Sequence, residues 1–168
     1  SAHRLAPGTP LLAALAAALY LGPLLFNLPL IDPDEGLHAA ISLEMIERGD
    51  WVVPRVMGTA FLDKPILFFF AQALSIGALG ANEAAVRLPG HVLGALGAVT
   101  TGLLASAFSG RQMGIAAACV YATLVFPMVL NQAAVHDVAL VPWINIALLC
   151  LLQALRRPGF AAAAPRYV

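Results

Sequence analysis

The charged residues of this chain are concentrated in one segment between long apolar runs, and this distribution constrains the fold more than any other feature. Eight of the nine acidic residues lie between Asp32 and Glu83, and the single lysine, Lys64, lies there too. The flanking runs are rich in Leu, Ala, Val, Ile and Phe. A charged segment between apolar runs of membrane-crossing length predicts a loop outside the bilayer. We expect the chemistry of the protein to lie in that loop.

The composition indicates an integral membrane protein. The chain is 61% hydrophobic and only 11% charged, with a mean hydropathy of +0.86, whereas about a quarter of the residues in a soluble domain are charged. The formal net charge is zero, so we expect the lipid bilayer, and no nucleic acid, as a partner. Cys119 and Cys150 both fall in apolar runs, which favours small buried side chains over a disulfide or a metal pair.

Four transmembrane helices are predicted. They lie at 11–30, 87–108, 113–134 and 138–155, and a cytoplasmic tail follows at 158–168. The first run is free of charge for 20 residues, close to the number that crosses a bilayer. A cleaved signal peptide is the alternative, but such a segment has a shorter apolar core and a small-residue cleavage site.

The extracytoplasmic loop, 31–86, is predicted to carry two surface helices. The first, at 33–48, is amphipathic and begins with a cap from Asp32 and a capping box completed by Glu35. The second, at 65–80, is apolar but short for a membrane span. If it crossed the membrane, the arginines after the second and fourth spans would lie outside, against the positive-inside rule. An interfacial helix is therefore the better interpretation.

This topology places Asp34, Lys64 and Asp137 on the same, non-cytoplasmic side. Asp34 lies in the first turn of a helix, where the dipole favours a carboxylate, although a solvated helix-start acid looks the same. Lys64 precedes an apolar helix, where its ammonium can bind a lipid phosphate or extend to the headgroups. Asp137 occupies a short turn between two spans, where it is a functional residue or a helix cap.

Two histidines have structural alternatives of their own. His38 lies one turn after Asp34 and could share a metal ion with it, or it could be an ordinary polar-face histidine. His91 lies among small residues and is predicted to be packed and hydrogen-bonded.

Several short motifs follow one another along the chain. They are Pro33-Asp34-Glu35, Glu44-Met45, Gly49-Asp50-Trp51-Val52, Pro54-Arg55, Asp63-Lys64-Pro65, Arg87-Leu88-Pro89 and Asp137. In order and spacing they resemble the N-terminal part of the GT-C membrane glycosyltransferases, in the branch of the protein mannosyltransferases and the aminoarabinose transferase of lipid A. The likeness runs from about Leu24 to Leu155.

The resemblance implies an all-α membrane protein with surface helices in its first extracytoplasmic loop. It implies an inverting enzyme of the inner membrane that moves a sugar from a polyprenyl-phosphate donor to a lipid, glycan or protein acceptor on the extracytoplasmic face. Asp34 corresponds to the family's general base, Asp137 to its second-loop acid and Lys64 to the residue that holds the carrier phosphate.

The resemblance also implies substrate contacts from Glu35, His38 and Arg55, and a divalent metal ion held by Asp63 and His38. The chain departs from the aminoarabinose branch at two places. Leu37-His38 stands where that branch tends to have Arg-Tyr, and Asp63 stands where it usually has Glu.

Members of the family have many more spans, so we expect this chain to be an N-terminal fragment or a truncated form that is inactive alone. A small transporter and a non-catalytic scaffold are the alternatives. Transporters usually carry charges or broken helices at mid-membrane, and the predicted span interiors carry no Asp, Glu, Lys or Arg. A scaffold could pack through the small-residue face formed by Gly90, Gly94, Gly97 and Ala98.

Overall fold

The computed structural model describes residues 29–30, 33–132 and 136–156, which form six helices and one short β-hairpin. The helices are α1 (Asp34–Arg48), α2 (Ile66–Leu79), α3 (Glu83–Ser109), α4 (Arg111–Thr123), α5 (Val125–Gln132) and α6 (Asp137–Arg156), and the strands are β1 (Arg55–Val56) and β2 (Thr59–Ala60). The predicted first span at 11–30, apart from its last two residues, and the predicted tail at 158–168 lie outside the described residues.

Helix α1 agrees with the predicted amphipathic helix at 33–48. Pro33 is its N-cap and makes no side-chain cap hydrogen bond. The cap predicted from Asp32, and with it the capping box, lies outside the described residues, and the Glu35 carboxylate binds Arg87. The C-terminus follows the sequence signal, since Gly49 takes the left-handed conformation that ends a helix, with φ of 66°.

A buried ion pair joins α1 to the start of α3. The Arg87 guanidinium donates from Nε to Oε1 of Glu35 at 2.9 Å and from Nη2 to Oε2 at 2.8 Å. Nη2 also donates to the carbonyl of Pro29 at 2.9 Å. The side chains are only 8% and 1% exposed, respectively. The two-pronged geometry fixes the start of α1 against α3 in one orientation.

The hairpin between α1 and α2 was not predicted. Its strands pair antiparallel, with Arg55 opposite Ala60, and the two residues of the turn, Met57 and Gly58, both have positive φ. Such turns match the twist of paired strands. The amide of Gly58 donates to Oε1 of Glu44 at 2.9 Å, which attaches the hairpin to α1. Strands of two residues are too short to produce an alternating pattern in the sequence.

Helix α2 is one residue shorter at each end than the predicted 65–80. It packs on α1 through apolar side chains that include Phe69 and Ala73. A buried polar chain adds direction to this packing. Ser42 Oγ donates to Oε1 of Gln72 at 3.0 Å, and Gln72 Nε2 donates to the carbonyl of Val86 at 3.0 Å. Three helices are thus joined through one glutamine.

Helix α3 is the centre of the helical bundle, packing against α2, α4, α5 and α6. Its predicted small-residue face is buried. A Cβ on Gly102 would lie 2.9 Å from the carbonyl oxygen of Gly114, so α3 and α4 approach closely because these positions have no side chain. On the other side, Asn145 Nδ2 of α6 donates to Oγ1 of Thr101 at 2.9 Å.

Two of the ranges predicted as spans coincide with single long helices, and a third does not. The range 87–108 lies within α3 and 138–155 within α6, and both helices contain a stretch long and apolar enough to cross a membrane. The continuous helix predicted at 113–134 is instead two helices, α4 and α5, separated by Leu124 in an extended conformation. Pro127 explains the break, since it cannot donate to the carbonyl four residues earlier.

Removing one partner of the buried ion pair should destabilise the protein strongly. Arg87→Met leaves the Glu35 carboxylate buried and uncompensated, so we expect the free energy of unfolding to fall by about 3–5 kcal/mol. The Glu35→Met/Arg87→Met double variant should recover most of that loss. Tryptophan fluorescence during denaturant unfolding in detergent measures both. Arg48→Met is the matched control, because Arg48 forms an exposed pair with Glu44 that contributes little. Equal stability of Arg87→Met and wild type would contradict the expectation.

Candidate active site

The structure brings the polar residues singled out in the sequence together around one side chain, His136. Asp137 and His38 contact its ring directly, and the charges of Lys64 and Asp34 influence its pKa. These residues come from the start of α1, the loop before α2 and the start of α6, which are far apart in the sequence. We take this group as the candidate active site.

His136 is the buried centre of the site. Its side chain is 9% exposed, and Nε2 lies 3.2 Å from Oδ1 of Asp137. Its ring meets that of His38 edge to face, with centroids 5.3 Å apart. Burial is the main influence on the imidazole, and it lowers the pKa of His136 below its usual value; Asp137 opposes this effect. The imidazole is therefore neutral at pH 7.

The three candidate ionic residues are accessible to solvent. Asp34 is the exposed first residue of α1, where the positive end of the helix dipole stabilises a carboxylate. Lys64 is exposed immediately before Pro65, the N-cap of α2. The Asp137 side chain is 59% exposed at the start of α6. Two carboxylates and one ammonium are thus exposed at or just before helix starts, whereas the imidazole of His136 is buried.

His38 is enclosed by other rings. It is 4% exposed, and its ring makes edge contacts with Phe68 and Phe69, with centroids 6.2 Å and 5.4 Å away. Asp63, its predicted partner as a metal ligand, lies exposed beside Lys64. Among the residues that the structure describes, no three His, Cys, Asp or Glu side chains are grouped to hold a metal ion. The described donors do not form the predicted metal site, which stays a prediction.

Two predicted substrate contacts have structural partners. Both carboxylate oxygens of Glu35 accept from Arg87. Nε of Arg55 lies 3.7 Å from Oδ2 of Asp50, and its Nη1 donates to the carbonyl of Gly58 at 3.2 Å. Both residues stabilise the loop predicted at 31–86, called loop one below. A role in substrate binding stays a prediction for each of them.

Sequence reasoning missed the roles of Arg87 and His136. Arg87 was noted as part of a motif but not as the partner of Glu35. A guanidinium entering a long apolar helix needs a buried partner, and that requirement was the available signal. His136 carried no signal of its own, because no sequence pattern connects it to His38 almost one hundred positions earlier.

An apolar groove of about 520 Å³ runs along α2. Leu67, in the first turn of α2, and Leu79, at its end, both line the groove, together with Val92 of α3 and Trp143 of α6. Twelve residues of helix correspond to about 18 Å. The groove therefore begins one turn beyond Lys64 and extends along the whole helix.

Comparisons with known proteins identify the family of this chain. Residues 63–162 match the family model described as dolichyl-phosphate-mannose-protein mannosyltransferase. The undecaprenyl phosphate-alpha-4-amino-4-deoxy-L-arabinose arabinosyl transferase of Yersinia enterocolitica is 34% identical over 150 residues, which are 89% of this chain and 27% of that protein. A similarly named transferase of Sodalis glossinidius is 33% identical over 155 residues, covering 92% of this chain and 28% of that protein.

The fold also has a solved counterpart. The crystal structure of ArnT from Cupriavidus metallidurans in the apo state superimposes with a TM-score of 0.79 and 24% identity, over 89% of this chain and 27% of that one. The predicted all-α membrane fold of the GT-C type is thereby confirmed, while the number of spans stays a prediction. With more than half of its residues matched by the family model, the chain belongs to the dolichyl-phosphate-mannose-protein mannosyltransferase family.

Proposed function

We propose that this chain provides the catalytic first loop of a membrane glycosyltransferase that takes its sugar from a polyprenyl-phosphate donor. The observation that carries the proposal is the exposure of Asp34, Lys64 and Asp137 at or just before the starts of three helices, with Asp137 in contact with the buried His136 at 3.2 Å. Family membership supports a transferase over the transporter and scaffold alternatives. The chain spans only 27% of the Yersinia relative, so the activity of the whole enzyme is part of the proposal.

The exposed groups suit sugar transfer from a phosphate. Asp34 takes the proton of an acceptor hydroxyl as its oxygen attacks the anomeric carbon. The bond from that carbon to the phosphate oxygen breaks, and its electron pair leaves with the phosphate. A phosphate is a good leaving group without a proton, so a cation is needed rather than an acid. Lys64 provides it and stabilises the charge that develops. Attack opposite the leaving group inverts the anomeric centre.

The donor that we propose is an undecaprenyl-phosphate-linked aminoarabinose, the donor in the names of the relatives. The structure contributes a physical argument. Lys64 precedes α2, and the apolar groove follows α2 from its first turn. An apolar groove whose lining begins three residues after an exposed lysine suits an amphiphile with an anionic head and an isoprenoid tail. Lipid, glycan and protein acceptors all stay open.

The proposal requires the site to lie on the extracytoplasmic face of the inner membrane, and single-cysteine labelling tests this. In a background lacking Cys119 and Cys150, we expect Thr59→Cys and Val138→Cys to react with a membrane-impermeant thiol reagent in intact cells. Gly110→Cys should stay protected until the membrane is permeabilised. Labelling of Thr59→Cys and Val138→Cys from opposite sides would contradict a shared site.

Asp34→Asn should remove most of the transferase activity, because an amide cannot accept the hydroxyl proton. General base catalysis contributes about 10²–10⁴-fold, so we expect kcat to fall by at least about 100-fold with little change in KM for the donor. The assay follows sugar transfer by the full-length protein from undecaprenyl-phosphate aminoarabinose to lipid A or to a serine-containing peptide. Glu47→Gln, which neutralises an exposed acid near the end of α1, is the matched control. A fully active Asp34→Asn protein would rule out Asp34 as the base.

Lys64→Gln should weaken binding of undecaprenyl phosphate, since it removes the cation proposed to contact the phosphate. A hydrogen bond to a charged group contributes about 1.5–3 kcal/mol, so we expect the Kd to rise about tenfold or more. Lys64→Arg keeps the charge and should lose less. Native mass spectrometry of the purified protein measures the three affinities, and Arg48→Gln controls for loss of an exposed positive charge. Equal affinity of Lys64→Gln and wild type would contradict the assignment.

A further inference from the structure

His136 contacts the second-loop acid directly and the first-loop helix through His38. Its Nε2 lies 3.2 Å from Oδ1 of Asp137. Its ring also contacts that of His38, which lies on the first turns of α1, one turn beyond Asp34. The ring is held in place by burial, because only 9% of the side chain is exposed. The second-loop acid is therefore linked to the first-loop helix through one rigid aromatic side chain.

The contact with Asp137 determines where the imidazole carries its proton. A neutral imidazole has one N–H and one bare nitrogen. A bare Nε2 at 3.2 Å from a carboxylate oxygen would place two lone pairs against each other, so the proton must be on Nε2. Nδ1 is then bare, and the described residues offer it no hydrogen-bond partner. The donor side of His136 faces Asp137.

The Asp137 carboxylate needs a hydrogen-bond donor that holds it in one orientation. Its side chain is 59% exposed, and an exposed carboxylate at a helix start can occupy several rotamers. Reacting groups displaced by about 1 Å can lose about 100-fold in rate. A buried imidazole that holds one carboxylate oxygen restricts this freedom, and it does so at the point where α6 meets α1.

We propose that His136 is a positioning residue, whose Nε2–H orients the Asp137 carboxylate and whose ring, packed on His38, sets that carboxylate relative to Asp34. The inference rests on the proposed transferase function in assigning the acids a role in the reaction. His136 itself does not take the proton of the acceptor, because its bare Nδ1 is buried and a substrate hydroxyl cannot reach it.

A positioning role and simple space-filling require different side chains at position 136. If the ring only fills volume, an apolar side chain of similar size will serve. If it orients Asp137, the replacement must donate a hydrogen bond from the position of Nε2. Glutamine places its amide nitrogen near that position, and leucine fills similar space without a donor. His136→Leu and His136→Gln are therefore the informative pair.

The first experiment compares kcat and KM of these variants in the full-length protein. We expect His136→Leu to lower kcat at least about tenfold with KM for the donor unchanged, and His136→Gln to retain activity within about threefold. Adding His136→Leu to Asp137→Ala should cause no further loss, because the histidine acts through that carboxylate. A fully active His136→Leu, or equal losses in the two variants with unchanged Tm, would overturn the proposal.

The second measurement does not depend on activity and stays informative if His136→Leu fails to fold. The chain has four histidines, so nitrogen NMR of histidine-labelled protein is tractable, and the signal missing in His136→Gln assigns His136. We expect a neutral ring protonated on Nε2, with its signal displaced in Asp137→Ala. A proton on Nδ1, or no response to Asp137→Ala, would overturn the positioning role. If this chain gives the expected signals while the full-length wild-type protein shows no sugar transfer, the proposed function alone would be overturned.

Discussion

The buried pair of Glu35 and Arg87 is the interaction on which the arrangement of loop one depends. Removing two charges from water is costly, and an apolar pair of similar size would often be at least as stable. Its value is directional, because a guanidinium and a carboxylate joined by two hydrogen bonds tolerate little rotation. Since Glu35 directly follows Asp34 and precedes His38 by one turn, fixing Glu35 also fixes the start of α1 from which both site residues project.

The buried hydrogen bonds of Gln72 fix the orientation of α2, as the ion pair fixes that of α1. Apolar packing of α2 on its neighbours is extensive, but apolar contacts alone allow a helix to slide or rotate at small cost. Gln72 removes that freedom by bonding to Ser42 and to the carbonyl of Val86. The position of Lys64, immediately before α2, follows from this. Asp34 and Lys64 are exposed, and their placement depends on buried polar groups of α1 and α2.

The sequence specified most of the helices because their boundaries carry local signals. Gly49 and Pro65 mark the end of α1 and the approach to α2, and both predicted ranges were correct to within one residue. Non-local features carried no such signal. The Glu35–Arg87 pair spans 52 positions, and hydropathy is continuous through Leu124, where a single predicted helix is two. The predicted topology places three polar residues on one side of the membrane, while the contact of His136 with Asp137 and His38 required coordinates.

The separation of roles within the site follows from the different environments of its groups. The residues proposed to react lie exposed at or just before helix starts, where water and substrate can reach them. A side chain that orients them must be rigid, and it is therefore buried and neutral. His136 meets this demand, because its side chain is 9% exposed and burial lowers its pKa. A neutral ring adds no second positive charge to the site, so Lys64 is the cation proposed to meet the phosphate.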